Sequence, residues 1–416
     1  MKRIFALLLV LMMVLAINPI QAQDAPTLQI YITGLPESGL EWFNNEAFPA
    51  FAEAYGSDVT LEIITGGWGD FDATVAGWIS TGSGPDIVYL GSEYAATYGD
   101  LLKDVSSYFT EEELAAFLPA AVDTVTWDGS IRGLPLLMSP RPIFYRTDLF
   151  AEGSEIPLTF TDALAFVQAN SIVEENAMVQ MGFMDIGAGL FDAQEFIGYI
   201  WSAGGELYYE DGSSAFDSEA TAEALQYMYD RRRIILPTED TAGLPPFEGY
   251  PIASDRVVSG IFPMWNMPPT SDPIWENIAI APYPAGEAGA PVVQVFIDWL
   301  SVPQYVPDEK LELVTSFLKF ITTQESALAL STVVGYTPVR LDAWDTLRED
   351  AVWNTMLDLA VEYGRAFSDV RASAELRPLI VEQVTLFLTD QQSLEDTLQF
   401  LKEDYDGILA DNGYID

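Results

Sequence analysis

The stretch TGSGPDIVYL, residues 81–90, decides the fold class. A turn of Gly, Ser and Pro leads through Asp86 into the uninterrupted apolar run Ile87, Val88, Tyr89 and Leu90, which predicts a short and fully buried strand. A strand that is apolar on both faces is typical of a sheet covered by helices on both sides, and such α/β sheets bind ligands beyond the carboxyl ends of their strands. Residues 91–94, which include Glu93, occupy that position here, although an α/β enzyme could also contain such a strand.

The surrounding chain alternates between strand and helix patterns, which favours an α/β fold. Residues 28–32 and 59–64 read as strands, and the aromatic stretch 41–55 between them reads as a helix. Thr110 and Glu113 form a capping box, and the Asp128-Gly129 pair predicts a hairpin turn. Two later helices carry an apolar stripe each, over residues 311–321 and from Ser393 onwards.

The N-terminus has the pattern of a secretory signal peptide. Lys2 and Arg3 precede an apolar run over residues 4–17, and the small residue Ala22 is the predicted cleavage position. The run is shorter than the roughly 20 residues that span a bilayer. We therefore expect residues 1–22 to be removed and the mature protein to be extracytoplasmic, periplasmic or associated with the cell surface. It cannot be a Cys-anchored lipoprotein, because the chain contains no Cys.

Composition excludes several classes of function. The formal net charge of −45, from 63 acidic and 18 basic residues, opposes binding to nucleic acid and to anionic membrane surfaces. The one basic run, Arg231 to Arg233, closes a helical stretch, where cations favour the helix C-terminus.

The absence of His and Cys removes Ser-His-Asp and thiol catalysis together with the commonest metal ligands. A pair of carboxylates about 5 to 9 Å apart, as in glycoside hydrolases, is the enzymatic chemistry that remains possible. We expect no enzyme activity, no cofactor and no metal. An adhesin module would favour internal repeats, and we find none.

Six segments in one order resemble the family 1 extracellular solute-binding proteins of ABC importers. They are GSGPDIVYL, DGSIRGLPLLMSPRPIFYRTDLF, PLTFTDALAF, WSAGGELYYEDGSSAFDSEATAEAL, SDRVVSGIFPMWNM and SFLKFITTQESALALSTVVGYTPV. The resemblance implies a two-lobed periplasmic-binding-protein-like fold of type II, with ligand held between lobes that close by a hinge motion. It also implies three interlobe crossings, expected near Ser139, Pro282 and Ile321. The N-lobe would comprise residues 23–138 and 283–320, and the C-lobe residues 139–282 and 321–416.

The resemblance also indicates ligand contacts. A pyranose is bound by aromatic rings beneath its C–H face and by planar side chains that pair with its hydroxyls. Trp265 falls at a ring-stacking position with Asn266 beside it, although an ordinary core indole is the alternative. The further candidates are Glu93 beyond the buried strand, Trp68 and Trp299, which are in loops expected to be exposed, Arg141 at the hinge, Gln194 at a cleft position, Asp298 and Tyr336.

The chain departs from the family pattern at several positions near this cleft. Residues 296–299, Phe-Ile-Asp-Trp, replace a common Gly pair in a loop expected to face the cleft. Arg141 has an interlobe ion pair as its alternative role.

The resemblance therefore implies a monomeric receptor that captures a neutral sugar or oligosaccharide and delivers it to the permease subunits of an ABC transporter. Two alternatives remain open: a secreted carboxylate-pair glycoside hydrolase, or a receptor for a non-sugar solute such as a polyol or glycerol phosphate.

Overall fold

The computed structural model of the protein describes residues 26–56, 59–185, 192–238, 240–368 and 370–415. The predicted signal peptide lies outside the described residues. Within the ranges just given, no helix is both long and apolar enough to cross a lipid bilayer.

The described residues form strands of two to nine residues. They are β1 Thr27–Thr33, β2 Thr60–Gly66, β3 Ile87–Gly91, β4 Thr126–Trp127, β5 Ser130–Ile131, β6 Gly133–Arg141, β7 Ile143–Arg146, β8 Ile172–Glu174, β9 Ala177–Gln180, β10 Ser259–Ile261, β11 Ile278–Ala281, β12 Val293–Ser301, β13 Thr337–Pro338 and β14 Gly364–Ala366.

The α-helices of the same residues lie mostly between these strands and after them. They are α1 Glu37–Trp42, α2 Phe48–Tyr55, α3 Phe71–Thr81, α4 Ala95–Tyr98, α5 Glu111–Ala115, α6 Pro119–Thr124, α7 Phe160–Asn170, α8 Ala193–Ser202, α9 Glu219–Ile235, α10 Leu311–Ile321, α11 Gln324–Val334, α12 Trp344–Leu347, α13 Ala351–Tyr363, α14 Ser373–Leu388 and α15 Leu394–Asp411.

Local sequence signals set many of these boundaries. The capping box of Thr110 and Glu113 is formed at the start of α5, and the Ser393 side chain accepts a hydrogen bond from the Asp396 amide at the start of α15. Asp128 and Gly129 both adopt positive φ, at 48° and 72°, and join β4 to β5 as the predicted hairpin. The helix expected over residues 41–55 is instead divided by a π-helical segment, Phe43–Ala47, just before Pro49, whose ring nitrogen cannot donate to the preceding turn.

The larger sheet places the fold-deciding strand at its centre. Its order is β13-β6-β12-β3-β1-β2, and β14 also pairs with β12. Strand β1 runs parallel to β2 and β3, whereas β12 runs antiparallel to β3 and β6. All five residues of β3 are buried, as the apolar run predicts.

The two largest of the four hydrophobic clusters in the described residues mark two lobes. The first core includes Ile30, Ile87 and Leu137 of the larger sheet. The second core includes Tyr145, which lies in the smaller sheet β10-β7-β11, and Phe196 of helix α8. The fold is therefore the two-lobed α/β architecture that the resemblance implied.

Three neighbouring strands, β6, β12 and β14, carry the chain between the lobes. Strand β6 leaves the first core after Met138, and β7 enters the second at Ile143, so the chain passes between the cores over residues 139–142. The second crossing lies in β12, where Val295 packs in the first core and Phe296 in the second, rather than near Pro282.

The third crossing lies at β14, not near Ile321. The side chain of Ile321 is fully buried in the first core, and Leu330 and Leu357 of the following helices pack there too. Phe367, directly after β14, is the next residue that packs in the second core. The apolar faces of α10, α11 and α13 thus keep residues 321–363 with the first lobe, contrary to the boundary expected from the resemblance.

Candidate functional site

Two carboxylates lie side by side where β3 ends, at the position that the sequence indicated. Asp298 of β12 is the cross-strand partner of Gly91, the last residue of β3. Glu93 folds back over the same glycine, because a Cβ on Gly91 would lie 2.4 Å from Glu93 Oε2. Both side chains are almost fully buried.

Burial controls the protonation of this acid pair. It raises the pKa of Asp298 to about 7, with a further contribution from the charge of Glu93. Burial also raises the pKa of Glu93, against the opposing effect of Arg377 and Arg141. Each acid therefore keeps a proton to higher pH than an exposed carboxyl group, and a protonated acid can both donate and accept hydrogen bonds.

Arg141, at the end of β6, reaches from the hinge to the second lobe. Its Nη1 donates to Oε1 of Gln194 at 3.0 Å, and its guanidinium carbon lies 3.9 Å from the centroid of the Phe296 ring. Its Nε is buried and has no hydrogen-bond partner within the described chain. The alternative of an interlobe ion pair is not what the structure shows, because the interlobe partner of Arg141 is the uncharged Gln194.

Two charged residues that sequence reasoning missed face this group. Asp72 of α3 has a buried Oδ1 without a hydrogen-bond partner in the described part of the chain. Burial raises the pKa of both Asp72 and Glu93, and the charge of Arg377 of α14, in the second lobe, opposes this effect. Their separation of some 300 positions along the chain hides this proximity from sequence patterns.

Aromatic side chains border the acids on the first lobe. Trp68 is partly exposed and stacks on Tyr94, with ring centroids 6.2 Å apart and planes 7° from parallel. Tyr94 stacks in turn on Tyr98. Tyr336 is buried in the first core near Asp298, and burial, with a further contribution from the charge of Asp298, raises the pKa of its hydroxyl. Trp68 and Tyr336 therefore join the same site as Glu93.

Trp299 does not belong to this site. The stretch expected to be a cleft-facing loop is the interior of strand β12, and the Trp299 side chain is 1% exposed. Its Nε1 donates to the carbonyl oxygen of Gly91 at 3.3 Å. Side chains alternate along a strand, so Trp299 points to the opposite face from Asp298 and packs with Tyr31 and Phe71.

Trp265 and Asn266 lie in the second lobe, on the wall of a cavity of about 660 Å³. The Trp265 side chain is 53% exposed, so it is not the core indole that the sequence left as an alternative. A Cβ on Gly335 would lie 4.0 Å from the Trp265 Cα, which places Trp265 against the turn before Tyr336. The cavity wall thus meets the first lobe beside the acid group.

The basic run Arg231 to Arg233 closes helix α9, as the sequence predicts, with Arg232 and Arg233 in its last turn. Arg231 is 2% exposed and forms hydrogen bonds with Asp185, Glu195 and the Tyr199 hydroxyl. Burial and the charge of Asp185 raise the pKa of Glu195 well above its ordinary value. Arg233 forms an ion pair with Asp390 nearer the surface.

The site's chemistry suits a hydroxylated ligand. Carboxyl, amide and guanidinium groups are planar and can pair with adjacent hydroxyls, while indole and phenol rings can stack on an apolar face. Among the described residues, no group of three or more Asp or Glu side chains has the arrangement of a metal site.

Comparison with known proteins decides the family. Residues 46–357, well over half of the chain, match the family model described as bacterial extracellular solute-binding protein. The chain belongs to this family of extracellular solute-binding proteins.

Two curated proteins show the range of its relatives. This solute-binding protein is 22% identical to an uncharacterized ABC transporter extracellular-binding protein of Pyrococcus horikoshii, over 77% of this chain and 74% of that one. It is 25% identical to an arabinooligosaccharide-binding protein of Halalkalibacterium halodurans, over 56% and 53% of the respective chains.

Solved structures share its two-lobed fold. The maltose-bound MalE3 of T. maritima superposes with a TM-score of 0.75 at 21% identity, covering 92% of this chain and 100% of that one. The maltotriose-binding protein of Thermus thermophilus superposes with a TM-score of 0.68 at 18% identity, covering 91% and 100%.

Proposed function

We propose that this solute-binding protein is the extracytoplasmic receptor of an ABC importer and that it binds a neutral saccharide between its lobes without catalysing a reaction. The observation that supports this most is the convergence of Glu93, Asp298, Arg141 and Gln194 where the two lobes meet. Saccharide ligands in the names of several relatives favour the same class.

The groups at the site suit an uncharged ligand. Burial favours the neutral forms of Asp298, Glu93 and Asp72, and the charges of Arg377 and Arg141 oppose this effect by favouring the ionised acids. A charged ligand would pair with either the arginines or the acids and would leave the other groups without a partner in a poorly solvated place, which is costly. A hydrolase that uses an ionised nucleophile is disfavoured for a related reason, because burial raises the pKa of both members of the Glu93 and Asp298 pair.

The proposal includes the steps around binding. The signal peptide over residues 1–22 directs export, the mature chain acts as a monomer, the lobes close about the hinge strands, and the closed form docks on the transmembrane permease subunits. No cofactor is needed in these steps.

A calorimetric screen of the mature protein against mono-, di- and oligosaccharides tests the function. We expect at least one neutral saccharide to bind, with no release of reducing ends and no effect of a chelator. Failure of every saccharide to bind would refute the proposal, and so would turnover of the bound one.

A pair of tryptophan variants tests the placement of the ligand. Trp265→Ala removes an exposed ring, so we expect the affinity to fall by roughly 2 kcal/mol, about thirtyfold, with little change in stability. Trp299→Ala empties a buried position and should lower the free energy of unfolding by about 3 to 5 kcal/mol. Calorimetry paired with denaturant melts separates the two effects, and full affinity in folded Trp265→Ala would remove this residue from the site.

A further inference from the structure

The cavity beside Trp265 has walls that are more apolar than the binding of an unsubstituted sugar requires. It is lined mainly by apolar side chains from four segments of the second lobe, among them Phe183, Ile235, Leu244 and Phe262. The charged or amide side chains on its wall are Asp185, Arg232 and Asn266. Sugar hydroxyls placed against such walls would lose hydrogen bonds to water without replacement, which costs free energy. An apolar group would instead gain by leaving water.

Arg232 is the unusual polar group of this wall. Its side chain is half-buried. Arg231 and Arg233 beside it have acidic partners, but the side chain of Arg232 makes no hydrogen bond or ion pair with any residue that the structure describes. A guanidinium has five N–H donors in a planar fork that matches a carboxylate. Donors of this kind, left without partners on an apolar wall, suit an oxyanion.

The other charges near Arg232 do not cancel this preference. Asp185 faces Arg232 but is already paired with Arg231, and burial favours the neutral form of Glu195 in that cluster. The protein as a whole carries a formal charge of −45, which repels anions at long range. Salt screens that field over about 10 Å at 0.1 M, so a direct contact with Arg232 can still select an anion.

We propose that this cavity is a binding site for a small aromatic carboxylate, a second ligand in addition to the neutral saccharide. The volume of about 660 Å³ lies within the range of small-molecule sites, roughly 300 to 1,000 Å³, and leaves ample room for a substituted phenyl ring. Trp265 and Asn266 form the part of the wall that meets the first lobe, so a sugar on Trp265 lies beside the cavity. The neighbouring saccharide rests on the proposed function, whereas the cavity and its ring-and-carboxylate preference do not.

Two small probes test the cavity without any sugar. We would titrate 3-phenylpropionate and the uncharged 3-phenylpropan-1-ol into the mature protein, following binding by ligand-observed NMR. The carboxylate should bind about tenfold more tightly than the alcohol, because it adds charge-assisted hydrogen bonds to Arg232. Equal affinities, or no binding of either probe, would overturn the site.

Matched arginine variants test whether Arg232 causes the preference for the carboxylate probe. In Arg232→Gln the two probes should bind equally, while in Arg233→Gln, altered at the next position of the same helix, the tenfold preference should persist. A preference that survives in Arg232→Gln would overturn the role of Arg232.

A third variant covers misfolding of Arg232→Gln. Gly243 lines the cavity, and apart from its own chain neighbours no atom of the described residues lies within 4 Å of a Cβ built there, so Gly243→Leu should fold and narrow the space. We expect it to weaken both probes, and unchanged affinities would again count against the site.

The saccharide screen distinguishes a failure of the cavity site from a failure of the proposed function. Binding of saccharides without binding of 3-phenylpropionate would leave the proposed function intact and refute the cavity site. Binding of 3-phenylpropionate in a protein that binds no saccharide would refute the proposed function and would leave the cavity as a site for aromatic carboxylates alone.

Discussion

The Glu93 carboxylate occupies its position because residue 91 has no side chain. A Cβ at Gly91 would lie 2.4 Å from Glu93 Oε2, which is closer than real contacts allow. The backbone of Gly91 is extended, with φ at −80°, so an alanine there is sterically acceptable except for this contact.

Gly91→Ala should therefore displace Glu93 and weaken saccharide binding by roughly tenfold, the loss of about one hydrogen bond to a charged group. Calorimetry measures the change. Gly407→Ala is the matched control, because its Cβ would meet nothing within 4 Å on an exposed helix face, and it should leave the affinity unchanged. Full affinity in folded Gly91→Ala would show that Glu93 does not contact the ligand.

Asp298 should make the stability of the protein depend on pH. Its pKa is about 7 in the folded protein against an ordinary value of 3.8, so the folded state binds more protons than the unfolded state between these values. The free energy of unfolding should fall as the pH rises from about 4 to 7, by up to about 4 kcal/mol from this group, and change little above that.

Denaturant melts at pH 5, 6, 7 and 8 test this dependence. Asp298→Asn removes the titrating group, so its stability should fall less steeply with pH than that of the parent protein. Asp345→Asn, at an exposed position, should retain the parent's slope. Parallel curves for Asp298→Asn and the parent would contradict the prediction.

At the scale of the element, one turn of helix α9 places three consecutive arginines in different environments. Successive residues of a helix point about 100° apart. Arg231 consequently enters the second lobe, Arg232 faces the cavity and Arg233 lies near the surface.

Replacing the first and last of these arginines should have unequal costs. Arg231→Ala leaves Asp185 and Glu195 without their buried cation and should lower the free energy of unfolding by about 3 to 5 kcal/mol. Arg233→Ala breaks a partly exposed ion pair, worth at most about 1 kcal/mol. Denaturant melts of both variants check the difference, and similar costs would refute the assigned burial roles.

Sequence patterns predicted the elements well wherever neighbours along the chain determine the structure. The buried strand after Asp86, the capping box at Thr110 and the turn at Gly129 depend on a few adjacent residues, and each is confirmed. The residue pairs of the site are beyond such patterns, since Glu93 and Asp298 are 205 positions apart. The same limit explains Trp299: its burial depends on the pairing of β12 with β3, which no local signal encodes.

At the scale of the whole molecule, β6, β12 and β14 form one connection between the lobes. Because they pair side by side, a small change in their twist can rotate one lobe relative to the other. A saturating saccharide should therefore reduce the radius of gyration measured by small-angle X-ray scattering. Trp265→Ala at the same ligand concentration should show a smaller reduction, and an unchanged radius in the liganded parent protein would rule out closure.

The last turn of the chain offers a place to observe the lobes from outside the cleft. Tyr414 packs against the second core, and its hydroxyl donates to the carbonyl oxygen of Ala96 in the first lobe at 3.1 Å. A change in the angle between the lobes must lengthen or break this bond. A fluorophore coupled to a cysteine at this position would be the only thiol label on a chain that has no Cys of its own. Position 414 is thus an attachment point for a reagentless optical sensor of the ligand.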